Sequence, residues 1–141
     1  MESIYSNSQE NTISFICIYE VKDYNEVKII NNVNSYDIKS KIKILNGNKK
    51  ENLVFKKRFN EIGIGEINFI IEGELNNMSF MFKDCPSLIQ IAFNSIDTRK
   101  VVKMASMFQG CENLEYLDLS NFNTSNVTNM FCMFSSCSKL K

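Results

Sequence analysis

The sequence predicts an α+β solenoid: a β-rich N-terminal cap over residues 12–74, continuous with a short array of repeats over residues 75–141. Three observations predict it. Met78, Met104 and Met130 are spaced 26 residues apart, and Phe82, Phe108 and Phe134, Cys85, Cys111 and Cys137, and Leu88, Leu114 and Leu140 keep the same interval without a gap. A fixed period of this length marks units that bury their apolar faces only against their neighbours. Upstream of Glu74 the apolar residues instead alternate with a period of two, as half-buried strands require.

Residues 1–11 open with an acid and a run of polar residues and are expected to be disordered. Ile13, Phe15, Cys17, Tyr19 and Val21 then define one face of a strand over 12–21. Ile16 and Ile18 make its second face partly apolar, which places the strand inside a sheet. Further strands are expected over Glu26–Val33, Ile38–Leu45 and Glu66–Glu72, with a hairpin turn at Asn46-Gly47 leading towards Leu53-Val54-Phe55. Subtracting the repeat interval maps Leu88 onto Ile62 and Phe93 onto Ile67, so the strand near Ile67 is expected to double as a degenerate first rung. The cap is then what makes so short an array viable, because two full units and a truncated third do not suffice alone.

Within a unit, Leu114, Leu117 and Leu119 have the spacing L-x-x-L-x-L, a polar corner follows at Ser120–Asn126, and Val127, Met130, Met133, Phe134 and Cys137 recur at helical intervals of three and four. Each unit therefore reads as strand, turn and short helical return. This is the leucine-rich-repeat pattern in general form. The stretch Leu114–Leu140, with Leu117-Asp118-Leu119-Ser120, Phe122, Thr124-Ser125, Val127, Met130, Met133-Phe134 and Cys137, resembles the repeats of BspA-like surface proteins. The preceding unit, Ala92-Phe93-Asn94-Ser95-Ile96, keeps the apolar frame and lacks the Asp-Leu-Ser core. The resemblance implies a right-handed solenoid with a parallel sheet, a role in adhesion or protein binding, possible placement at a cell surface, and no catalytic residues.

Composition narrows the function further. Sixteen basic residues balance sixteen acidic ones, so no net field favours nucleic acid or an anionic membrane. No apolar run reaches the length of a membrane span, and the N-terminus lacks the basic start and apolar core of a signal peptide, so the chain as written is expected to stay in the cytoplasm. Histidine is absent and no C-x₂-C pair occurs; Cys85, Cys111 and Cys137 read as a ladder of core thiols, all five cysteines are expected to be reduced, and neither metal nor cofactor is expected. The lack of histidine and of any paired carboxylates also argues against an enzyme. Asn77, Asn123 and Asn126 match glycosylation acceptors, but Asn123 and Asn126 lie in the repeat corner, where asparagine suits turns by bonding its own backbone.

The expected function is a non-catalytic protein-interaction module. Its ligand face is the outward side of the repeat strands, with Gln90, Ala92 and Asn94 on one rung and Tyr116, Asp118 and Ser120 on the next. The alternative is a structural segment that self-associates through an open C-terminal edge, or a piece of a longer array without its own ligand.

Overall fold

Alternating Phe15, Cys17, Tyr19 and Val21 turn one side of β1 (Ile13–Val21) into the core, all of them fully or almost fully buried. A computed structural model describes residues 13–33 and 35–141; the expectation of disorder over 1–11 lies outside the described residues. β2 (Val27–Lys28) is all that forms of the second expected strand, and it pairs with β5 (Lys56–Lys57) in a separate two-stranded ribbon. The third expected strand divides. Its first half is helix α1 (Ser35–Lys41) and its second half β3 (Ile42–Asn46), and the four-residue step from buried Ile38 to buried Ile42 suits a helical turn into the core better than alternation does.

The hairpin turn forms one residue later than the expected Asn46-Gly47, with Asn46 paired to Lys49 at the end of β3 and Gly47, at φ +60°, and Asn48 as the two-residue loop. Its return strand is β4 (Lys49–Asn52), a polar edge rather than Leu53–Phe55. β6 (Gly63–Ile71), β7 (Leu88–Ser95) and β8 (Tyr116–Leu117) complete a six-stranded sheet in the order β4-β3-β6-β1-β7-β8, curled into a half-barrel around the core.

This architecture corrects the expected fold. The described residues are nearly all strand and turn, and neither the α+β class nor a solenoid is present. Two physical causes act. First, β1 lies between β6 and β7, antiparallel to both, so β6 is not the rung below β7, and only β7 and β8 pair in parallel. Phe15 cements this order, its ring lying 4.9 Å from Phe69, 5.6 Å from Phe93 and 5.9 Å from Phe82.

Second, the expected helical returns are turns. Phe80, Ser106 and Cys132 hold φ of 64°, 54° and 54°, and Asp84, Gly110 and Ser136 hold 54°, 76° and 61°. Left-handed residues four apart interrupt any right-handed helix. The strain falls at the same two places in each unit. At Gly110, where φ is +76°, a Cβ would lie 2.5 Å from the Asp84 carboxylate, so a larger residue would also have to displace that side chain.

The 26-residue interval survives as a register between the turns. Phe82 stacks on Phe108 and Phe108 on Phe134, each at 5.8 Å between ring centroids. Leu88, Leu114, Cys85 and Cys111 are fully buried, whereas Phe134 is 44% exposed, Met130 is exposed and Cys137 is only partly buried, so the expected burial fails at the last turn.

A feature absent from the sequence reading closes the other side of the first turn. The Asn31 backbone N–H donates to the Met81 carbonyl at 2.8 Å, its side-chain amide donates to the Lys83 carbonyl at 2.8 Å, and its Oδ1 accepts the Val33 N–H at 2.7 Å. Asn31 is 3% exposed. Asn31→Ala should lower stability by about 1–3 kcal/mol in urea denaturation, because the Lys83 carbonyl keeps only the long, weak bond from the Cys85 thiol at 3.8 Å and the Val33 N–H loses its acceptor. Asn31→Asp should cost at least as much, since it sets a carboxylate against that carbonyl; a melt unchanged by both would refute this cap.

The thiols follow the register too. Cys111 Sγ donates to the Phe82 carbonyl at 3.0 Å and Cys137 Sγ to the Phe108 carbonyl at 3.1 Å. Burial pushes the Cys111 thiol up to about 12 and raises Cys17 and Cys85 as well. Thiolates are the reactive species, so brief iodoacetamide treatment of the native protein should leave Cys17, Cys85 and Cys111 unmodified while Cys132, which is only partly buried, reacts. Rapid labelling of Cys111, read by mass spectrometry, would contradict its burial.

Candidate functional site

The six ligand-face candidates divide between two strands and the corner after them. β7 carries Gln90, Ala92 and Asn94 on the side opposite the buried Ile91 and Phe93, as strand alternation dictates. Gln90 lies beside Tyr116 and Ile91 beside Leu117 in the parallel β7–β8 pair, so Gln90 and Tyr116 share a face. Tyr116 is 56% exposed. Gln90, Ala92, Asn94, Tyr116 and Asp118, together with Glu115 and Lys141, line one shallow groove of about 390 Å³ that is open to solvent. Ser120 does not line it, and its part is structural: its N–H donates to Asp118 Oδ1 at 2.8 Å. That bond holds the Asp118 carboxyl below the usual carboxylate range and fixes a charged acceptor at the edge of the groove.

Residues missed by the sequence reading widen this face. Ile18 lies opposite Gln90 across β1–β7 and opposite Glu66 across β1–β6, and Ile16 lies opposite Ala92 and Asn68. Opposed residues in a ladder point to the same side. The rows Glu66-Ile18-Gln90-Tyr116 and Asn68-Ile16-Ala92 therefore run across the sheet, with half-buried isoleucines at their centre. The signal was present in the partly apolar second face of β1, but which strands flank it was not.

Asparagine turns build the polar corners of the repeat units. Asn77 Oδ1 accepts the Ser79 N–H at 2.9 Å, Asn123 Oδ1 the Ser125 N–H at 3.0 Å and Asn129 Oδ1 the Phe131 N–H at 3.0 Å. Asn126 instead spans two units, donating to the Arg99 carbonyl at 2.6 Å. The described face thus offers the Asp118 carboxylate held by Ser120, the further carboxylates of Glu66 and Glu115, the Lys141 ammonium, a tyrosine, the amides of Gln90, Asn94 and Asn68, and an aliphatic centre. It can take up a polypeptide surface by hydrogen bonding and apolar contact.

The family described as "Mycoplasma protein of unknown function, DUF285" matches residues 50–141. The chain belongs to the DUF285 family. The match takes in β6, β7 and β8 and all six candidates, and it leaves out β1 and Asn31. No curated protein and no solved structure matches the chain. Among the described residues no helix is long and apolar enough to cross a membrane.

Proposed function

We propose that this DUF285 protein is a non-catalytic recognition module that engages a protein ligand on the outward face of β7 and β8. The observation that carries this reading is that Gln90, Ala92, Asn94, Tyr116 and Asp118, five of the six outward residues expected to form the ligand face, line one open groove. An exposed tyrosine on a strand supplies contact area at little entropic cost, and a carboxylate held by its own turn supplies direction. The resemblance of Leu114–Leu140 to BspA-like surface repeats supports the same class, recognition or adhesion, and Ile16 and Ile18 extend the apolar part of the surface.

Changing Tyr116 and Asp118 together to alanine should leave stability within about 0.5 kcal/mol, since both side chains are exposed. The same double change should abolish capture of a partner from a lysate of the source organism. Undiminished capture by the folded double variant would remove the groove from consideration.

A further inference from the structure

A small cavity lies where the segments that follow β6 and β7 meet the end of the sheet. Ile13 and Ile71, opposed across β1 and β6, form one wall, and Leu75, Met78 and Ile96 form the rest of its apolar lining. Ile71, Leu75 and Met78 are buried, and Ile13 and Ile96 half-buried. The cavity has a volume of about 40 Å³. That is room for about three water-sized groups, and such walls give water too few partners to hold it. The exposed part of the lining is charged, with Glu74, Asp97 and Lys100. A polar cleft of about 440 Å³ adjoins the cavity, shares Ile13, Ile96 and Asp97 with it, and adds Ser95, Arg99 and Asn121.

Two carboxylates and two cations therefore stand around one apolar hole. Lys100 Nζ lies 2.8 Å and 3.0 Å from the two carboxylate oxygens of Glu74. Arg99 clasps Asp97, its Nη2 donating to Oδ2 at 2.6 Å and its Nε to Oδ1 at 2.9 Å. Exposed ion pairs contribute little to stability, so each pair opens to a ligand charge at small cost. The backbone beneath them is fixed. Thr98, 1% exposed, donates its hydroxyl to the Asn123 carbonyl at 3.0 Å and accepts the Asn123 N–H at 2.8 Å, while Lys41 Nζ donates to the Glu74 carbonyl at 2.6 Å.

We propose that this corner binds a free branched aliphatic α-amino acid, leucine, isoleucine or valine, at a site separate from the β7–β8 groove. The branch fills the cavity, which is too small for an aromatic ring or a long chain. The ammonium takes the place of a cation at Glu74 or Asp97, and the carboxylate takes the place of an anion at Lys100 or Arg99, so both ends of the zwitterion are paired. An internal residue of a polypeptide fills the cavity equally well but brings no charge to its rim. A fatty acid brings one charge and a chain too long for the space.

The test titrates L-leucine into the full chain with its isoleucine and methionine methyl groups isotope-labelled for NMR. The methyl signals of Ile71, Met78 and Ile96 should shift saturably, and those of Ile16 and Ile18 should not. L-alanine, which leaves the cavity empty, should bind about tenfold more weakly or worse. Arg99→Gln combined with Lys100→Gln, both at exposed positions, should weaken leucine binding about tenfold. Tyr116→Ala should leave it unchanged, which separates the site from the groove. Absence of saturable shifts overturns the proposal, as does equal affinity for isovaleramide, which has the branch and neither charge. Equally tight binding of N-acetyl-leucine methylamide also overturns it, because the occupant would then be a side chain of a polypeptide.

Discussion

A fragment spanning residues 50–141, the length matched by the family, should fail to fold cooperatively. Removing residues before 50 deletes β1, leaving the facing edges of β6 and β7 bare and withdrawing Phe15, Cys17 and Tyr19 from the core. It also deletes Tyr19's buried hydrogen bond to the Ile29 carbonyl and the Asn31 cover of the first turn. Losses of two large core side chains, a buried thiol and a central strand exceed the whole stability of an ordinary domain, about 5–15 kcal/mol. Circular dichroism should show a broad, non-cooperative thermal profile for 50–141 beside a sharp transition for 13–141. A sharp melt of the shorter fragment would mean that the repeat turns are self-sufficient and β1 dispensable.

Phe108→Ala should cost about 3–5 kcal/mol. Its ring is fully buried and stacked on both faces, by Phe82 and by Phe134, so truncation leaves a void that rigid neighbouring turns cannot collapse. Phe134→Ala removes a ring stacked on one face and 44% exposed, and should cost distinctly less. Urea titration of both variants gives the comparison directly. Equal losses would show that the third turn is covered in solution.

The sequence made legible whatever is local or strictly periodic. β1 and β6 follow from alternation, the Gly47 turn from its dipeptide, and the register of Phe82, Phe108 and Phe134 from the interval itself. The order of strands was not legible, because alternation marks a half-buried strand without naming its neighbours, and β1 meets partners far along the chain. The helical returns were misread for another reason. Spacings of three and four are shared by helices and by compact turns, and the left-handed residues that separate the two are Phe80, Asp84, Ser106, Cys132 and Ser136 as well as glycine. Only Gly110 carried a recognisable signal for that conformation.

For the site, the face of β7 and β8 was readable from outward positions in each unit, and five of the six residues meet in one groove. Ile16, Ile18 and Glu66 share the sheet face with those residues only through the long-range pairing of β1. Asn31 gave no sign of its role, because a buried asparagine whose backbone N–H and side-chain amide each bond one carbonyl of a distant turn leaves no local pattern.

The central place of β1 also sets a schedule for the newborn chain. This strand is synthesised first, yet β6 follows it by roughly 40 residues and β7 by roughly 70, which at about 5–20 residues per second is a wait of several seconds. Throughout that interval a nine-residue segment with apolar side chains on both faces has neither of its edges paired. Translation speed and holdase chaperones should therefore govern the yield of this protein more than its final stability does, with Ile13–Val21 as the segment that a chaperone grips.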